Sequence, residues 1–145
     1  MSSKRFKIEM NKISLIFIKS IVAVILFDSL GSIASRELDF NYSYLGVASA
    51  AMYLAIAFFI AQYASKKQTI LLLALLGLFD ATIGWYLSVV FKANTGGLTI
   101  DYEPFVLTIT IITVVIYSAL LGLLGWWLSL KFGKRKLIEK PKISE

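Results

Sequence analysis

Two acids interrupt stretches that are otherwise apolar: Asp28 in Leu26-Phe27-Asp28-Ser29-Leu30-Gly31, and Asp80 in Leu78-Phe79-Asp80-Ala81-Thr82-Ile83-Gly84. A carboxyl group in hydrocarbon is costly, so such a residue faces a bundle interior, pairs, or stays protonated. The chemistry open to it is the holding of a proton, a cation or a polar head group. Phenols stand at comparable depth in two other apolar stretches. At about 1.5 Å per helical residue, Asp28 lies about 11 Å from Ser35 and Asp80 about 17 Å from Phe91. By the same measure Tyr53 lies about 14 Å from Tyr44, and Tyr117 about 20 Å from Pro104. The match predicts Tyr53 beside Asp28 and Tyr117 beside Asp80, with Ser32, Ser49, Thr82, Thr110 and Thr113 completing a polar interior. The plainer role for such pairs is an interhelical hydrogen bond worth about 1 kcal/mol or less. Two acids at similar depth weigh the reading towards a site that binds an ion, a proton or a substrate through Asp28, Asp80, Tyr53 and Tyr117.

The rest of the inventory is mostly exclusions. There is no His and no Cys, which removes imidazole bases, thiolate nucleophiles, thiol–quinone redox chemistry and the usual zinc or haem ligands. An enzyme acting on lipid would have only Asp and Tyr for acid–base work and no evident nucleophile. The chain is therefore expected to be no enzyme, to have no catalytic residues and no metal site, and to need no cofactor.

The elements that must position these residues are set by hydropathy. Among 145 residues, 58% are hydrophobic and 17% charged, with a mean hydropathy of +0.77, which is not the composition of a surface that faces water. Four apolar stretches run from Ile13 to Ser35, Tyr44 to Ala64, Thr69 to Phe91 and Phe105 to Leu130. Each exceeds the roughly 20 residues that cross about 30 Å of hydrocarbon as a helix. A β-barrel strand would alternate polar and apolar, whereas Thr69 to Phe79 is apolar on every side. The expected fold is an all-α membrane protein: one domain over residues 1–145 with four transmembrane helices and a basic tail over 131–145. The basic start, the apolar run and the triplet Ser32-Ile33-Ala34 also fit a cleaved leader. The length of the run and the acid near its far end argue for a retained span.

Cations set the expected orientation, because Lys and Arg near span ends resist translocation. Thirteen of the fifteen lie before span one or early in it, between spans two and three, or in the tail; only Arg36 and Lys92 lie in the other two connections, beside Glu37, Asp39, Asp101 and Glu103. Both termini are thus expected in the cytoplasm, in a cell (inner) membrane. Tyr42, Tyr44 and Tyr102 then mark the outer boundary, and Tyr63, Trp126 and Trp127 the inner one. Lys19 is read as snorkelling to the inner head groups, since about 13 Å of helix separates it from Asp28. The basic tail suits anionic lipid head groups at the cytoplasmic face, and no soluble basic module suggests nucleic acid.

Internal likeness is slight but regular. Each Leu-Phe-Asp is followed by a Gly about one turn on, then by an acidic connection, then by a span with a mid-helix Tyr. This reads as two tandem helical hairpins in parallel, related by an axis along the membrane normal. Small residues mark the seams: Ala74, Gly77, Ala81, Gly84 and Ser88; Gly46, Ala50, Tyr53, Ala57, Ala61 and Ala64; Ser118, Gly122, Gly125 and Ser129. In lipid, close backbone approach at such residues supplies packing that the hydrophobic effect does not. The function expected from these features is proton- or cation-coupled transport of a small solute, by a homo-oligomer or beside a membrane partner, because four helices enclose little volume. The alternative is a non-catalytic accessory or scaffold subunit of a membrane complex.

Overall fold

The computed structural model describes residues 3–96 and 104–133, without side chains for 3–10. The described residues are helical with short connections and include no strand. Helix α1 spans Ser3–Glu37, α2 Gly46–Ala61, α3 Lys66–Phe79, α4 Trp85–Val90 and α5 Pro104–Phe132. A 3₁₀ turn, Tyr42–Leu45, leads into α2, and a π-helical turn, Asp80–Gly84, joins α3 to α4 into one continuous rod. Four of these units are long and apolar enough to cross a bilayer: Asn11–Glu37, Tyr42–Ala61, Lys66–Val90 and Pro104–Phe132. They coincide with the four expected spans to within a few residues.

Local chemistry accounts for the boundaries. Ser65 starts α3 with a reciprocal capping box: its Oγ accepts from the Gln68 N–H, and the Gln68 side chain accepts from the Ser65 N–H. Two orphan donors are satisfied that way. Helix α1 ends where Asp39 takes the left-handed region at φ 51°, and α4 ends where Lys92 takes it at φ 54°, as chain reversals beyond a helix end commonly do. The connections at that end are knitted together. The Asn94 N–H donates to Ser35 Oγ at 3.1 Å, the Tyr42 N–H to the Asn94 carbonyl at 2.8 Å, Asn94 Nδ2 to Asp39 at 2.9 Å and Arg36 to the Phe91 carbonyl at 3.1 Å. The connection after α4 is described only as far as Gly96, where φ is 68°; Gly97, Asp101, Tyr102, Glu103 and the tail from Lys134 onward lie outside the described residues.

Packing follows the small-residue seams except at Gly46, which is exposed and where a Cβ would meet nothing within 4 Å. On α5, Ser118, Gly122, Gly125 and Ser129 are all buried, and this face lies against both α2 and α3. Gly125 is a tight point, since a Cβ there would run into Ala57 and meet the Phe58 backbone nitrogen at 3.0 Å. Helix α1 turns Ser20, Val24, Asp28, Ser32 and Ser35 inward, while Leu15, Ile18, Val22, Leu26 and Leu30 are exposed. Polar inside and apolar outside is the reverse of a water-soluble helix and the arrangement that lipid favours. The core itself is Val24, Tyr53, Ile56, Ala57, Ile60, Ala64, Leu73 and Leu76.

Candidate functional site

Asp28 and Asp80 meet. The π-helical turn contributes the geometry: the Trp85 N–H reaches back five residues to the Asp80 carbonyl. Such turns hold one residue more than an α-turn and recur at functional sites. Asp80 and Gly84, four residues apart, then share the face that packs against α1. At Gly84 a Cβ would collide with carboxyl oxygens of both Asp28 and Asp80, so glycine is what lets the two side chains converge on the helix backbone.

Each acid has its own phenol. Tyr53 Oη donates to Asp80 Oδ2 at 2.8 Å and lies 3.4 Å from the Leu76 carbonyl; Tyr42 Oη donates to Asp28 Oδ1 at 3.1 Å. Asp28 is 6% exposed, and its Oδ2 has no hydrogen-bond donor. The Asp80 carboxyl is within hydrogen-bonding reach of Asp28, but two ionised carboxylates offer each other only acceptors. A proton between them, or a cation beside them, supplies what Oδ2 lacks.

Two expectations are corrected here. Tyr53 partners Asp80 rather than Asp28, because α2 presents Tyr53 to α3, where Asp80 emerges. Tyr117 partners neither acid: it is 48% exposed on α5, whose inward face one residue on carries Ser118. Depth along a helix says nothing about azimuth, and the depth match alone placed Tyr117 wrongly. Of the other polar residues, Ser32 is buried and donates to the Asp28 carbonyl at 2.6 Å. Ser49 and Thr110 line the cavity described below, while Thr82 bonds its own helix at the Leu78 carbonyl, 2.8 Å away, and Thr113 is exposed. Tyr42 and Gly84 were missed as site residues. The four-residue spacing of Ser20, Val24, Asp28 and Ser32 on α1 was the readable signal for which face of that helix carries the acid.

Above the carboxyl pair, towards the connections, lies a cavity of about 330 Å³. Asp28, Asp80, Tyr42, Ser49 and Thr110 supply its polar wall, and residues of both connections, Ser43 and Thr95 among them, line its far end. On the Lys66 side of the pair lie the buried apolar residues Val24, Leu73 and Leu76. The site is thus an acidic pocket beside an apolar core. Chemically it can hold a proton or a cation. The chain matches no family model, no curated protein and no solved structure.

Proposed function

We propose that this is a small multi-pass membrane carrier, not an enzyme, in which the Asp28–Asp80 pair couples movement of a small solute to a proton or monovalent cation. The observation that supports it is the meeting of both carboxyls at the base of a cavity, with Asp28 Oδ2 buried and lacking a donor. Two carboxylates facing one another accept and do not donate, and a buried acceptor left unsatisfied costs about 1–3 kcal/mol. Two like charges in contact in a low dielectric repel strongly, so the pair binds a positive partner and exchanges it.

In this reading the chain sits in the cell membrane with both termini in the cytoplasm. The Lys66 end faces the cytoplasm, where three aromatic–cation pairs gather: Lys12 over Tyr63 at 5.6 Å, Lys66 over Trp126 at 5.4 Å and Lys131 over Trp127 at 4.2 Å. Anionic head groups are its partners there, and a second copy or another membrane subunit covers its outer faces. The test is proton or cation flux in proteoliposomes holding wild type, Asp28→Asn, Asp80→Asn and the double variant, with thermal stability measured in parallel. An amide keeps the shape and removes the titratable charge, so flux should fall to background in variants that still fold. Absence of flux from wild type under every imposed gradient, with unchanged stability in the variants, would leave the scaffold reading in its place.

A further inference from the structure

The cavity carries more information than its charge. Among its lining residues are two carboxyl groups and no Lys or Arg. Arg36, the cation closest to that end of α1, is held by Glu37 at 2.8 Å and by the Phe91 carbonyl. Whatever neutralises the pair comes from outside the protein. At about 330 Å³ the space is many times the roughly 30 Å³ that one water occupies, so a bare alkali ion would leave most of it unfilled. Much of the wall is Phe27, Leu45, Ala81, Trp85, Val89 and Val114, an apolar surface that an organic body covers better than water does. Divalent metals are poorly served too. They take six or more oxygens, and among the described residues no three acidic side chains come together.

We propose that the cavity binds a hydrophobic ammonium ion that bears at least one N–H, a protonated organic amine whose charged end sits on Asp28 and Asp80 and whose apolar body lies among Phe27, Trp85 and Val114. The N–H is called for because, once the shared proton has left, the Asp28 and Asp80 carboxylates offer only acceptors. The aromatic rings in the wall favour a cation over a neutral molecule of the same shape. One cation enters as one proton leaves the carboxyl pair, so the net charge of the site is the same before and after. This substrate class rests on the carrier reading above.

Trp85 lines the cavity and reports on it once Trp126 and Trp127 are replaced by Phe. The experiment titrates the full chain in nanodiscs with phenethylammonium, phenethyltrimethylammonium, phenethyl alcohol and potassium, following Trp85 fluorescence and, in weak buffer, proton release. Phenethylammonium should saturate the signal and release one proton per cation bound, with an affinity about tenfold or more above that of the alcohol and of the quaternary ion, as expected when a buried charge pair is completed. Asp28→Asn and Asp80→Asn should lose that binding. Equal binding of the alcohol, or no amine binding by a protein whose proton flux depends on Asp28, overturns the amine site and leaves the carrier reading standing. Amine binding without proton release, in a protein that shows no flux, overturns the carrier reading instead.

Discussion

At the scale of single residues, the site depends on a glycine and two phenols as much as on the acids. Gly84→Ala places a methyl group against both carboxyls. Overpacking of this kind costs about 1–3 kcal/mol, and the acids must separate to make room. Flux by the alanine variant should therefore fall about tenfold or more even where the protein remains folded, since small misplacements at such sites are expensive; a variant with normal flux would show that the pair need not touch. Tyr53 is 3% exposed and donates to Asp80 at 2.8 Å. Tyr53→Phe should cost about 1–2 kcal/mol of stability, the loss of a buried donor, whereas Tyr117→Phe should change stability by less than about 0.5 kcal/mol. Thermal unfolding in detergent compares the two, and equal effects would contradict the placement of Tyr53 at the acid. The acids were legible from their surroundings in the sequence. Tyr42 was not, because it lies at a helix entrance that reads as an interfacial aromatic, and its reach to Asp28 depends on how the α1–α2 connection folds.

At the scale of elements, the seams were readable and the irregular turn was not. A small residue repeated at helical spacing specifies close approach whatever the partner, which is why the α5 stripe appears intact in the fold. Gly125 and Gly46 give a paired test of it. A Cβ at Gly125 meets Ala57 and the α2 backbone, while at Gly46 nothing lies within 4 Å. Gly125→Val should destabilise by about 1–3 kcal/mol through overpacking. Gly46→Ala should be neutral or stabilise by about 0.4–1 kcal/mol by restricting the unfolded chain. Unfolding midpoints in one detergent measure both, and a silent Gly125→Val would mean that α5 does not press on α2. The π-helical turn has no comparable signature. Asp80-Ala81-Thr82-Ile83-Gly84 is compatible with an ordinary α-helix, and the extra residue in the turn is seen only in the fold, where the turn packs against α1.

At the scale of the whole molecule, orientation is the claim most open to direct measurement. The chain has no cysteine, so single cysteines can be introduced without background. Glu37→Cys should react with an impermeant thiol reagent in intact cells, and Lys67→Cys and Ser144→Cys only after permeabilisation; labelling of Lys67→Cys in sealed cells would invert the topology. Four long apolar helices, their approximate limits, the seams along which they pack and the two acids that hydrocarbon makes conspicuous were all determined by the sequence, because hydropathy and helical spacing act over distances of one or two turns. The tandem-hairpin pattern suggested two separate acid–phenol pairs, one in each hairpin. Tertiary packing instead brought both acids to one point between α1 and the α3–α4 rod. Which side chains face one another is set by the rotation of each helix about its axis and by the depth at which neighbours stop sliding. Those quantities come from contacts between residues far apart in the chain, such as Gly125 with Ala57 and Gly84 with Asp28, and no local pattern encodes them.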